Sequence, residues 1–280
     1  MGVIRYAIDI APLGELSDPR AILRLARAAE ESGWDGLSMW DSLGLSMGTS
    51  AADLFVTLAA VAAETERLTL ITSVVAAARR RPQLVVQAAA SLDLVSEGRL
   101  VLGLGAGEDQ PDFEAFGETH ERKARIARMD ESIAIIDEGL RGERLEHDGV
   151  HLRAHGVTLG PRPYQQPRPP IWFGALKPAG LRRAAQWDGW IAVAVGEDGE
   201  TVDLTPADLR QRIDRVIEER AKLGLESQPY DIAVLGSSAI DGPEPAAYVA
   251  NGATWWLESL SPMRGSIIEL EAVVRAGPPR

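Results

Sequence analysis

The sequence predicts an α/β protein built as a (β/α)8 TIM barrel, and three observations predict it. Apolar strand-like runs and amphipathic helical runs alternate about eight times along 280 residues, the rhythm of a parallel sheet wrapped by helices. The run Leu100-Val101-Leu102 is continuously apolar and opens into Gly103-Leu104-Gly105-Ala106-Gly107. Such a strand is buried on both faces, and its terminal glycines let a flat ligand approach the backbone or relieve crowding in a tight bend. Polar residues gather at the carboxyl ends of the predicted strands: Asp41-Ser42, Thr72-Ser73, Glu108 and Glu258. A barrel builds its site on that rim. A doubly wound open sheet is the alternative that the alternation also allows. Residues 1–280 are taken as one domain.

The elements follow in order. Val3 to Ile10 is a strand, and Asp18-Pro19 supplies a cap and first-turn proline for a helix whose apolar set is Ile22, Leu25, Ala26 and Ala29, closed by Gly33. Leu37 to Trp40 is the second strand, Asp53 to Glu64 a helix, and Leu68 to Val74 a β-branched strand. Arg79-Arg80-Arg81-Pro82 starts the next helix, read as a solvated helix start ahead of the alternative that its charge steers an anionic substrate or cofactor tail, with Val85, Ala89 and Leu92 on one face. After the glycine strand, Arg122 to Leu140 is a long helix with a buried stripe through Ile126, Met129, Ile133, Ile136 and Leu140. Residues 142–170 break the rhythm: His147-Asp148-Gly149-Val150 reads as a hairpin turn and Pro161 to Pro170 as an extended connector, an excursion from the core. Ile171 to Gly174, Gly189 to Val193, Ile232 to Leu235 and Thr254 to Leu257 are strands, and Trp255-Trp256 is read as ending the last of them with one ring to each side, so that at most one walls the pocket. Helices at about Ala179 to Gln186, Asp208 to Leu223, Glu244 to Ala250 and Arg264 to Arg275 follow them.

Composition narrows the function. A net charge of −12 argues against nucleic acid and anionic membrane surfaces as partners. With no cysteine there is no disulfide, thiolate nucleophile or Cys-ligated metal. No basic stretch leads into an apolar run at the N-terminus and no 18-residue apolar run occurs, so a cytoplasmic protein is expected. His147, His151 and His155 are spaced by four, which on a helix would form a metal face; Asp148-Gly149 breaks any helix there, so the spacing is read as a hairpin with solvent-facing side chains, and His120 stands apart. No metal is expected.

Several short patterns occur in a fixed order. They are Ala29-Glu30-x-x-Gly33-x-Asp35-Gly36, Trp40-Asp41, Thr65-x-Arg67-Leu68 before Thr72-Ser73, and Leu92-Asp93-x-x-Ser96-x-Gly98-Arg99 before Gly103-x-Gly105-Ala106-Gly107-Glu108. Gln166-Pro167-x-Pro169-Pro170-Ile171-x-x-Gly174 and Asp188-Gly189-Trp190 complete the set. Together they resemble the bacterial luciferase-like monooxygenases, from about residue 3 to 195. The resemblance implies a barrel binding FMN or the deazaflavin coenzyme F420 at the carboxyl-end rim. It implies a ring lying over the third and fourth strands, with Asp41, Thr72, Ser73, Val74, Gly105, Ala106 and Gly107 at the cofactor and a non-prolyl cis peptide at Ser73-Val74 or Thr72-Ser73. It places the cofactor phosphate on the backbone of Gly174, Ala175 and Leu176 with Lys177 nearby, and a loop entering a helix is an anion site on physical grounds too. Glu108 and Asp41 are the residues expected to take part in chemistry. The sequence departs from the family where Asp-His is common after the second strand: here it is Asp41-Ser42. A serine needs a partner to act as a base at neutral pH.

The implied function is a flavin- or F420-dependent oxidoreductase acting on a small organic substrate. FMN with a separate flavin reductase would give oxygen-dependent monooxygenation; F420 would give hydride transfer. A non-catalytic flavin-binding protein on the same barrel is the alternative, and a phosphate-handling barrel a third. A homodimer through helices near the first strands is expected.

Overall fold

The computed structural model of the chain describes residues 4–107, 110–119, 121–175, 177–192, 204–238 and 245–279. Strands β1 (Arg5–Ile10), β2 (Gly36–Met39) and β3 (Thr69–Thr72) pair in parallel, and β4 (Val75–Ala76) follows β3 after one turn of chain. Next come β5 (Leu100–Gly105), the antiparallel hairpin β6 (Arg144–Asp148) and β7 (Arg153–Thr158), then β8 (Ile171–Gly174), β9 (Gly189–Ala192), β10 (Asp231–Gly236) and β11 (Trp255–Leu260). Pairing runs β1, β2, β3, β5, β8, β9, β10, β11 and back to β1, so eight parallel strands close into a barrel. The open-sheet alternative is thereby excluded.

Helices α1 (Pro19–Glu31), α2 (Leu54–Glu64), α3 (Pro82–Val95), the single turn α4 (Pro111–Glu114), α5 (Arg122–Leu140), α6 (Pro178–Ala184), α7 (Pro206–Lys222), α8 (Pro245–Ala250) and α9 (Ile267–Ala276) form the outer layer. Local chemistry fixes their starts. Asp18 accepts a hydrogen bond from the Arg20 amide ahead of Pro19, Asp53 from the Val56 amide, and Thr205 and Ser266 each form reciprocal capping boxes. Among the described residues no helix is long and apolar enough to cross a membrane.

Strand alternation sorts the core into two clusters. Tyr6, Ile8 and Ile10 of β1 pack outward against the helices, whereas Ala7 turns inward with Ile71, Trp172, Ile191, Trp255 and Leu257 to fill the barrel. The same period places Asp9 inward, at the carboxyl end of β1. The 142–170 excursion is the β6–β7 hairpin plus an irregular return, with Glu131 of α5 accepting the amides of Val150, His151 and Leu152 at its tip.

Three local expectations are corrected. Trp255 and Trp256 begin β11 and do not end it; Trp255 lies in the lower barrel against Trp172 and Arg5, while Trp256 turns outward, because the strand runs on to Leu260. Arg79 and Arg80 are not a solvated helix start. They sit in a turn before Pro82 with side chains only 11% and 27% exposed, held by carboxylates. His147 is largely covered, with Nε2 3.8 Å from Glu131, because the hairpin folds onto α5; His155 is exposed, and His120 lies outside the described residues.

Candidate functional site

The Ser73-Val74 peptide is cis and lies where β3 leaves the barrel. Around it the rim is packed by the glycines of neighbouring strands. A Cβ on Gly105 would come within 2.6 Å of Val74 Cγ2, one on Gly174 within 2.8 Å of Val74 Cγ1, and one on Gly103 would overlap the Thr72 carbonyl oxygen. The glycines of β5 therefore make room for the third strand's bend. Of the two meanings they carry in sequence, relief of crowding is the one the packing requires. Gly107 adds a left-handed φ of 74°. Thr72 is buried and its hydroxyl donates to the Gly103 carbonyl at 2.8 Å.

Below the cis peptide lies Asp9, wholly buried. Its Oδ1 is 2.6 Å from the Ser73 hydroxyl and its Oδ2 accepts the Trp40 indole N–H at 2.6 Å. Burial raises the Asp9 carboxyl above the ordinary carboxylate range, and the donors from Ser73 and Trp40 offset only part of that. Ser73 and Trp40 are partly exposed at the rim, so the buried acid connects to the mouth through the Ser73 hydroxyl. Asp9 escapes motif reading. The usable signal is the period-2 pattern of β1, which puts position 9 on the barrel face with Ala7.

Asp41 follows β2 and its side chain is 2% exposed. Arg80 clamps both its oxygens at 2.7 and 2.8 Å, Arg79 reaches Oδ1 at 2.8 Å, and the Ala76 amide donates to Oδ2 at 3.0 Å. Burial alone would raise its pKa, but the hydrogen bonds and charge of Arg80, followed by Arg79, outweigh this and hold the carboxyl below the usual range. Arg79 continues to buried Asp112, whose Oδ2 also accepts the Leu43 amide at 2.9 Å. The network ties the loops after β2, β4 and β5 together. Ser42 accepts the Gly44 amide at 3.0 Å, a local loop bond.

A pocket of about 120 Å³ opens beside the ends of β5 and β8. Its walls include Ala106, Gly174, Ala175 and Phe173, and its cations are Arg122, Arg125, Lys177 and Arg183. Arg183 is paired with Asp130 at 2.7 Å. Arg125 lies 5.3 Å from the Phe113 ring centre, and its Nε is buried with no hydrogen-bond partner among the described residues. The Ala175 amide is already committed to the Ile191 carbonyl at 3.3 Å. Positive charge in this pocket thus comes from side chains more than from that amide. Glu108 and Leu176 lie outside the described residues.

The sequence profile described as luciferase-like monooxygenase matches residues 4–267. An F420-dependent glucose-6-phosphate dehydrogenase of Microbacterium testaceum is 35% identical over 195 residues, which cover 68% of this chain and 57% of that protein. The match therefore spans little more than half the length of that relative. Among solved structures, a monooxygenase from Streptomyces bottropensis superposes with a TM-score of 0.80 at 20% identity, covering 98% of this chain and 97% of that one. An F420-dependent secondary alcohol dehydrogenase in complex with an F420–acetone adduct superposes with a TM-score of 0.82 at 15% identity, covering 99% of each chain. These two likenesses show the shared fold.

Proposed function

The chain belongs to the luciferase-like monooxygenase family, and from that premise we propose that it is an oxidoreductase holding coenzyme F420, or FMN as second choice, across the rim between β3 and β8. F420 comes first because the Microbacterium testaceum relative is named for it. The observation that carries the reading is the pocket beside Gly174, where the buried Arg125 Nε lacks a partner and Arg122 and Lys177 make no ion pair among the described residues. An orphaned buried donor beside unneutralised cations fits a phosphate-bearing ligand. Bound F420 would supply hydride transfer, whereas bound FMN, once reduced, would supply oxygen chemistry.

The chain's own contribution follows from the geometry. Val74, fixed between Gly105 and Gly174, offers a firm apolar seat at the barrel mouth for a flat ring, with Ala106 and Gly107 beside it. Asp41 acts as a positioning residue: it holds Arg79, Arg80 and Ala76 and so fixes the chain after the cis peptide. Ser73, bonded to Asp9, is placed to pass a proton between a substrate at the mouth and the buried carboxyl. In this reading the protein is one cytoplasmic domain acting on a small organic substrate, and Glu108 remains a candidate for the chemistry. Retention of cofactor without turnover is a second reading, favoured by Ser42, whose hydroxyl serves its own loop.

Titration of the purified protein with F420 and with FMN, followed by cofactor fluorescence, tests the assignment. Saturable binding of one, weakened in Arg125→Ala, supports it. Binding of neither overturns it.

A further inference from the structure

Two cavities are stacked in the furrow between α5 and α6. The upper one is the cationic pocket at the barrel mouth. The lower one, of about 600 Å³, is lined by Asp130, Ile133, Glu138, Arg182, Gln186 and Trp187. Phe173 and Arg183 line both. Asp130 belongs to the lower cavity, four residues and so one helical turn beyond Ile126, which belongs to the upper. Arg183 therefore stands on the boundary, and its partner sits on the side away from the mouth. Nε and Nη2 of Arg183 reach Asp130 Oδ1 and Oδ2 at 2.7 and 2.8 Å, a bidentate pair.

This pair differs from the other ion pairs at the carboxyl end of the barrel. Arg79 and Arg80 hold Asp41, and Arg264 Nη1 lies 2.5 Å from Glu258 Oε1; those two carboxylates are 2% and 0% exposed. Breaking either would strand a buried charge. Asp130 is 44% exposed and Arg183 31%. Water can take up the Asp130 carboxylate when Arg183 leaves it, and an ion pair exposed to this degree holds its partners only weakly. The upper pocket, by contrast, gathers Arg122, Arg125 and Lys177 with no carboxylate in its lining among the described residues, and the Arg125 Nε there is buried without a partner. An anion in that pocket competes for Arg183 from a less hydrated position than Asp130 does, where its charge-assisted hydrogen bonds are stronger.

We propose that Asp130 is an internal counter-ion that a phosphate-bearing ligand displaces: Arg183 leaves Asp130 for the ligand when the upper pocket fills. This rests on the cofactor reading above and adds the residue that sets how tightly the pocket holds its anion. The exchange replaces one ion pair by another and makes or breaks no covalent bond. Asp130 acts through Arg183 as a positioning residue, and its charge opposes binding.

The experiment compares wild type with Asp130→Asn, Arg183→Ala, the double variant and Glu138→Gln. Each is titrated with F420 and with FMN by cofactor fluorescence, and with inorganic phosphate by phosphorus NMR line broadening, over a range of ionic strength. Asp130→Asn is expected to bind its cofactor and inorganic phosphate roughly two- to fivefold more tightly than wild type, equivalent to the loss of one exposed competing ion pair. The gain should shrink with added salt and be absent when Arg183 is already Ala. Glu138→Gln removes the same charge from the lower cavity, where no ion pair ties it to Arg183 among the described residues, and should match wild type. An affinity that falls or stays unchanged in Asp130→Asn overturns the proposal, since a residue that merely holds Arg183 in place would give that result. A gain that survives in the double variant, or that Glu138→Gln reproduces, overturns it too. If neither cofactor binds, the cofactor reading fails on its own and inorganic phosphate still reports the exchange; absence of phosphate binding in every variant sinks the exchange as well.

Discussion

The Ser73 hydroxyl and Asp9 Oδ1 are 2.6 Å apart although 64 positions separate the residues in sequence. Their bond joins the first strand of the barrel to the start of the cis peptide after the third. Asp9 is wholly buried and its pKa is raised by that burial. A group whose folded pKa is raised stabilises the protein fully below its unfolded value, near 3.9, and loses that contribution as pH rises through the folded value. Asp9→Asn keeps the shape and removes the ionisation. The melting temperature of the variant relative to wild type should therefore climb as pH rises from about 4 and level off above the folded pKa. Two parallel melting curves across that range would refute the assignment.

Asp41 has the opposite sign. Its pKa is held low by Arg80 and Arg79, so its stabilisation is present above the unfolded value and disappears as pH falls through the folded one. Asp41→Asn strands two guanidinium groups that are mostly covered. A loss of about 3–5 kcal/mol at neutral pH is expected, shrinking below about pH 4. Urea unfolding at pH 7 and at a series of pH values descending below about 4 measures both.

The rim glycines differ in what they tolerate. Gly105→Ala meets the Val74 side chain and no backbone atom within 3.5 Å, and should cost about 1–3 kcal/mol. Gly103→Ala meets the Thr72 backbone, which cannot move without opening the barrel, and should be the more damaging of the two. Gly33→Ala has free space around the added carbon and pays only for its φ of 82°, about 1 kcal/mol. Thermal melts should show the largest loss for Gly103→Ala, a smaller one for Gly105→Ala and the smallest for Gly33→Ala, and equal losses would remove the packing account.

Arg125 and Lys177 predict salt dependence. Arg125→Ala and Lys177→Ala should each weaken a phosphate-bearing cofactor by roughly tenfold or more, as expected for a lost charge-assisted hydrogen bond. The deficit should narrow with rising ionic strength for Lys177, which is exposed, and persist for Arg125, whose Nε is buried. Unchanged affinity in both variants would move the anion site elsewhere.

How much was legible divides along the range of the signal. Alternation of strands and helices, the Asp18 and Asp53 helix starts, and the opposite rings of Trp255 and Trp256 were readable, because each depends on neighbours within a turn or a strand. The bend at Ser73-Val74 came from the family resemblance, as one of two placements, and the Thr205 cap was missed, the helix being placed from Asp208. Where Trp255 sits in the barrel was misread by the length of one strand, since chain polarity within an element is set by where that element stops.

The sequence by itself determined the order of the elements, which faces are apolar, and the chemistry available at each strand end. Tertiary structure alone decided which of those groups meet. It turned Arg79 and Arg80 into partners of Asp41, gave Glu258 to Arg264, and brought Asp9 under Ser73. Hydrophobic periodicity is a local property, whereas the register of a closed barrel is fixed by all eight strands at once, so the neighbours across its mouth exist only after closure.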